Sequence, residues 1–252
     1  MKREYSISIK SPDEINILRD AGRILADIVE ELKSSLTSGN TTKEIDRIAE
    51  EVIRRHNVKP AFKGYRGFPS CVCLSINDEV VHGIPGKKVI RNGDVVSLDV
   101  GIIHRDYYSD TAMTAGVGEL ADDLKRLLKV TEEALYKGIE QVHIGNHLSD
   151  ISHAIQLYVE KNHFSIVREF VGHGIGRHLH EDPEIPNFGP AHNGPILEEG
   201  MVFAIEPMVN SGTWQTRILE DGWTVVTADG KPSAHFEHCV AVTKEGPQIL
   251  TK

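Results

Sequence analysis

The sequence is poor in cysteine, has no long apolar run and carries none of the common catalytic signatures. Three cysteines in 252 residues do not make a disulfide framework. Cys71 and Cys73 stand two apart on an expected strand, a spacing that suits neither a bridge between them nor a zinc knuckle. No apolar stretch approaches the ~20 residues that a membrane-spanning helix needs, and no signal peptide is expected at Met1. There is no Gly-x-Ser-x-Gly elbow, no phosphate loop ending in Gly-Lys-Ser/Thr and no His-Glu-x-x-His helix. A formal net charge of -9 argues against general electrostatic binding to nucleic acid. The expectations are therefore a cytoplasmic protein without direct nucleic-acid or membrane partners.

What is present is ordinary globular material: 40% hydrophobic and 26% charged residues, enough apolar surface to offset chain entropy. No linker divides the chain, so a single domain over 1–252 is expected. Ser11-Pro12-Asp13-Glu14 reads as a capping box, followed by a helical stripe of Ile15, Leu18, Gly22, Leu25 and Leu32. Thr41 to Glu44 caps a second helix. Strands are expected at Cys71–Ile76, Val80–Val81 and Val95–Val100. The second half repeats the plan, with helices at Leu120–Glu140 and Leu148–Lys161 and strands at Met201–Glu206, Trp223–Thr227 and His235–Val242.

Asn92-Gly93-Asp94-Val95-Val96-Ser97-Leu98-Asp99 matches Glu199-Gly200-Met201-Val202-Phe203-Ala204-Ile205-Glu206. Each has a turn glycine, an apolar strand and a carboxylate six residues after the glycine. Internal duplication is the economical reading, with chance likeness of apolar strands the competing one. Duplication would set Asp99 and Glu206 face to face near a pseudo-twofold axis.

A carboxylate on a buried strand is costly unless paired or bound to a cation. Asp99, Asp110, Glu206 and Glu237 have no basic partners nearby in the sequence. Any one alone reads best as a salt bridge or a cap; four together point to divalent cations. His173, framed by Gly172, Gly174 and Gly176, presents an imidazole, and His180 follows seven residues later; His82 has weaker support. One imidazole with four carboxylates suits Mn²⁺, Fe²⁺, Co²⁺ or Zn²⁺. Five ligands exceed one tetrahedral ion and suit two ions bridged by carboxylates, an arrangement that activates water.

Val81-His82-Gly83-Ile84-Pro85, Ser97-Leu98-Asp99-Val100-Gly101, Ser109-Asp110-Thr111, Gly172 to Arg177, Ile205-Glu206-Pro207-Met208 and Phe236-Glu237-His238 together resemble the type I methionine aminopeptidases, in their short bacterial form. The resemblance runs from about Ile9 to Leu250. It implies a pita-bread α/β (α+β) fold, two pseudo-symmetric halves around a central curved, largely antiparallel sheet with helices outside. It implies removal of N-terminal methionine when the next residue is small. Asp99, Asp110, His173, Glu206 and Glu237 match the ligands of two divalent ions, and His82, His180 and Glu206 match catalytic positions. Phe62, Tyr65, Phe68, Cys73 and Trp223 match the methionine pocket; Asn77, Glu79 and Ser233 match carbonyl donors to a structural Na⁺ or K⁺. A monomer acting on nascent chains, with the ribosome as a further partner, completes what the resemblance implies. Leu179, Arg66 and His235 depart from residues common in the family, which bears on pocket shape and metal preference. An X-Pro peptidase and a non-catalytic binding protein of the same fold are the alternatives.

Overall fold

The computed structural model describes residues 6–252, so the Met1 terminus, where no signal peptide is expected, lies outside the described residues. The first half opens with α1 (Pro12–Lys33) and α2 (Thr42–Arg55). Both start on complete capping boxes: Ser11 with Glu14, and Thr41 with Glu44, each side chain accepting the other residue's backbone N–H. Strands β1 (Lys59–Pro60), β2 (Val72–Ile76), β3 (Glu79–Val81), β4 (Val95–His104) and β5 (Tyr107–Gly116) follow. β4 is central to its sheet, with β5 along one side and β2 and β1 along the other, all antiparallel.

The second half has α3 (Asp122–Ile139) and α4 (Leu148–Lys161), then ten short strands. These are β6 (Ser165–Ile166), β7 (Gly172–Gly174), β8 (Glu181–Ile185), β9 (Val202–Ile205), β10 (Met208–Asn210), β11 (Thr216–Ile218), β12 (Val225–Thr227), β13 (Ser233–His235), β14 (His238–Thr243) and β15 (Gly246–Ile249). A five-stranded sheet runs β15-β14-β9-β7-β8, again antiparallel. β10 lies between β13 and β6, and β12 joins β11 to β3 of the first half. Among the described residues, no helix is long and apolar enough to cross a membrane.

Each half buries its helix pair on its own sheet. Leu25, Ile45, Leu74 and Leu98 form one cluster; Leu127, Ile151, Phe203 and Val240 form the other. The two large sheets meet where Glu237 forms a bridge with Ala112 of β5, its N–H donating to the Ala112 carbonyl at 2.9 Å. This is the expected arrangement of paired halves with helices outside.

Several short strands, β1, β6, β7, β8, β10, β11 and β15, were not among the expected elements, and two further differences lie at the junction. β5 was not among the expected strands. His235–Val242 is not one strand but two, broken at Phe236–Glu237. The break lets Glu237 leave the β14–β9 ladder and pair with β5, which brings its carboxylate between the two sheets.

Candidate active site

Three of the five expected ligand residues lie within strands and two directly beside them. Asp99 lies within β4, Asp110 within β5, His173 at the middle of β7, Glu206 directly after β9 and Glu237 in the gap between β13 and β14. All five line one cavity of about 260 Å³. Ligand atoms of Asp110, His173 and Glu237 lie within 4.8 Å of one another, and all three residues are buried.

The glycines around His173 serve packing. β7 is sandwiched between β8 and β9. A Cβ on Gly172 would stand 2.5 Å from the Ala204 carbonyl oxygen, and one on Gly174 would stand 2.2 Å from that of Asp182. Only glycine admits such close neighbours. His173 is thus fixed on a buried central strand, not presented from open backbone. Its Nδ1 lies 2.9 Å from the Gly174 carbonyl oxygen, which accepts the proton and leaves the Nε2 lone pair turned toward Glu206 Oε1 at 3.5 Å.

The electrostatics are those of a cation site. Asp99 Oδ1, Asp110 Oδ1 and Glu237 Oε1 are buried with no hydrogen-bond partner. Among the described residues, no lysine or arginine pairs with any of the four carboxylates; Glu206 has His173 and His235 beside it, each at 3.5 Å. Burial raises Asp99 and Glu206 to about 7. Burial first, then the neighbouring carboxylates, pushes Asp110 and Glu237 well above the ordinary range. Bare oxygens and one free imidazole lone pair in a buried cavity match the donor preference of divalent cations such as Mn²⁺, Fe²⁺, Co²⁺ and Zn²⁺. The residues therefore fit the group that the sequence implies.

The other expected site residues gather around this centre. Phe62, Tyr65, Phe68, Cys73 and Trp223 all line the cavity, with the Phe68 and Trp223 rings edge-to-face at 5.2 Å. His82 lines it too, from a left-handed bend at φ 58, beside Phe170 and Trp223. Burial first, then the nearby His235, pulls His82 down to about 4, so the ring is neutral at pH 7. His180 stands with its ring 4.3 Å from that of His173. Its Nδ1 lies 2.8 Å from the Tyr65 hydroxyl. Partial burial, then His173 and Arg66, holds its pKa below the usual value.

Asn77, Glu79 and Ser233 sit together off the cavity. Ser233 N–H donates to the Asn77 carbonyl at 2.9 Å, and Glu79 accepts from Ile76 N–H while pairing with Lys88.

Eight cavity-lining residues were not among the expected site residues, Phe170, Met208 and His235 among them. Phe170 carries no sequence signal, being a single apolar residue, and Met208 was read only as the end of the Ile205-Glu206-Pro207-Met208 motif. His235 stands two residues before Glu237, and that spacing was the available clue.

Comparison with known proteins follows the same lines. The model of the metallopeptidase family M24 matches residues 16–244. The chain is 54% identical over 246 residues to methionine aminopeptidase 1 of Bacillus subtilis, covering 98% of this chain and 99% of that one. The crystal structure of methionine aminopeptidase from Thermotoga maritima superposes with a TM-score of 0.96 at 46% identity, covering 98% and 99% of the two chains. The prolidase of Pyrococcus horikoshii shares the fold at a TM-score of 0.78 and 24% identity, and the match spans only 63% of that longer chain. The chain belongs to metallopeptidase family M24, among its methionine aminopeptidases.

Proposed function

We propose that this protein is a hydrolase that removes N-terminal methionine from peptides and nascent proteins whose second residue is small. The observation that carries the reading is the set of buried carboxylates, paired with no lysine or arginine among the described residues, that gather with His173 in one cavity. Full-length likeness to methionine aminopeptidases supports the substrate.

Asp99, Asp110, His173, Glu206 and Glu237 would hold two divalent ions, with Asp110 and Glu237 shared between them. Such ions supply the positive charge that activates a water and polarises the scissile carbonyl. The protein's own groups do the rest. Phe62, Phe68, Cys73 and Trp223 enclose the thioether in a dry pocket, whose aromatic faces favour sulfur contact. With the Tyr65 hydroxyl 2.8 Å away as donor to His180 Nδ1, the ring proton would sit on Nε2, free to donate to substrate. His180 and His82 would steady the carbonyl oxygen as it gains charge, each donor worth roughly 3–4 kcal/mol. Glu206 would take the proton of the attacking water and return it to the leaving amine. The substrate's free α-amine would be held at the same centre, which would restrict cleavage to the chain end.

Asn77, Glu79 and Ser233 are proposed to surround a monovalent cation that ties β3 to β13. The whole chain would act as one catalytic domain, as a cytoplasmic monomer meeting nascent chains at the ribosome.

The test is hydrolysis of Met-Ala-Ser after chelation and re-addition of Mn²⁺ or Co²⁺. Loss and recovery of activity is expected, with no cleavage of X-Pro dipeptides. Cleavage of X-Pro alone would move the protein to the prolidase reading; no cleavage with any ion would leave a binding protein.

A further inference from the structure

Glu206 is held between two imidazoles, and only one of them belongs to the ligand set. His173 Nε2 lies 3.5 Å from its Oε1, and His235 Nε2 lies 3.5 Å from its Oε2. We propose that His235 is the positioning residue for Glu206, donating Nε2–H to the second carboxylate oxygen and so aiming the carboxylate at the attacking water. The inference rests on the peptidase reading above.

Three observations carry it. First, His235 is 2% exposed and its Nε2 has no hydrogen-bond partner. A buried polar atom left unsatisfied is costly, so a histidine serving only the core would have its nitrogen satisfied there. Here the nitrogen faces a carboxylate.

Second, the frame of His235 is pinned. Its N–H donates to Thr114 Oγ1 at 2.9 Å, and Thr114 Oγ1 donates back to its carbonyl at 2.8 Å. Ser97, opposite Thr114 in the β4–β5 ladder, lies 2.8 Å from the same hydroxyl and donates to it. The Thr114 hydroxyl then donates one bond and accepts two, which leaves the His235 backbone no freedom to slide.

Third, Glu206 is anchored independently. Asn187 Nδ2 donates to its carbonyl at 3.0 Å, and Met208, two residues on, is in register with His235 across β10 and β13. Two rigid frames therefore face each other, so little side-chain entropy is lost in making the bond. A separation of 3.5 Å is long for a hydrogen bond, but such contacts commonly tighten when a site is filled. The role needs no change of charge, because a histidine with a proton on Nε2 donates whether the ring is neutral or charged.

The test compares His235→Leu, which keeps volume and removes the donor, with His235→Gln, whose amide N–H reaches similarly. Kinetics on Met-Ala-Ser, Mn²⁺ affinity by calorimetry and thermal unfolding of chelated protein are measured for both and for wild type. For His235→Leu, kcat should fall about 10–100-fold, with KM within about threefold and the chelated protein melting no lower than wild type. His235→Gln should recover most of kcat. Mn²⁺ affinity should fall in the Leu variant and return in the Gln variant. Unchanged kcat and Mn²⁺ affinity in His235→Leu would overturn the proposal. So would a Gln variant as impaired as Leu in both, which would make the imidazole itself a ligand. An inactive wild type would sink the peptidase reading instead, and the Mn²⁺ affinities would then decide the role of His235 alone.

Discussion

Two groups of buried carboxylates are treated in opposite ways by this fold. Glu181 meets Lys10 at 2.7 Å, both side chains at most 10% exposed, and Glu79, 3% exposed, meets Lys88 and the Ile76 N–H. Asp110 and Glu237 are as deeply buried, at 5% and 2%, yet no lysine or arginine among the described residues reaches them. The same chain thus neutralises its structural acids from within and leaves those of the cavity bare. The contrast shows that the bare set is not an unavoidable by-product of burying acids. It is a place where neutralising charge comes from outside.

The sharpest way to break this contrast is to remove one acid from each group. Asp110→Asn should abolish Mn²⁺-dependent hydrolysis of Met-Ala-Ser, by at least about 100-fold. Yet in chelator it should unfold no more easily than wild type, because a repelled carboxylate is gone. Glu181→Gln should do the reverse. It leaves Lys10, 5% exposed, with neutral acceptors alone, the new amide oxygen and the Ser8 carbonyl at 3.3 Å; a buried charge without its counter-charge should lower stability by about 3–5 kcal/mol. Hydrolysis by its folded fraction should persist. Denaturant unfolding in chelator, with peptide hydrolysis alongside, reads both arms. Equal destabilisation by the two variants would mean that the cavity acids are structurally paired after all.

How far this contrast could be read from the sequence depends on which residues carry each signal. α1 and α4 were legible because local chemistry sets their ends or their stripe: Ser11, Pro12 and Glu14 at one, and a run of apolar positions from Leu148 to Val159 along the other. The candidate ligands Asp99 and Glu206 were legible because a carboxylate inside Val95–Val100 or after Val202–Ile205 has no cheap structural use. β5 was not legible. Tyr-Tyr-Ser-Asp-Thr-Ala-Met-Thr-Ala-Gly has no alternation of apolar and polar residues, because α1 and elements of the second half both pack against it and bury most of its residues. His173 was found for an incomplete reason: its glycines answer to neighbouring strands, which only tertiary structure reveals. His235 was read only as a departure from the family, because the break that sets it beside Glu206 is made by tertiary structure.

Acidity offers a second test, smaller than removing an acid. Asp99 and Glu206 have folded values raised to about 7, and Asp110 and Glu237 are also raised, all chiefly by burial. In the unfolded chain these groups titrate near ~4. Between the two values the folded state holds more protons, so stability falls as pH rises. His82, His180, His235 and His238 are lowered, and they act oppositely, but mainly below about 6.5, where the unfolded histidines charge. From about pH 6.5 to 8 the carboxylates set the slope. The melting temperature of chelated protein should therefore drop across that window, and saturating Mn²⁺ should flatten the drop. A flat profile in chelator would show that the cavity acids are already neutralised.

The smallest expected effect separates the two structural acids from each other. Glu79→Gln leaves Lys88 without its partner, just as Glu181→Gln strands Lys10. The lysines differ in what they can turn to. The Lys88 side chain is 54% exposed and rehydrates when released, whereas that of Lys10 is 3% exposed and does not. The amide introduced by Glu79→Gln keeps an oxygen for the Ile76 N–H that Glu79 now accepts at 2.9 Å. The cost should be about 1 kcal/mol, that of a half-exposed ion pair, against several for the Lys10 pair. Denaturant unfolding of the two variants side by side measures the ratio. Equal losses would mean that burial of the acid, and not of its lysine, sets the worth of each pair, and the inference from bare carboxylates would then need a different scale.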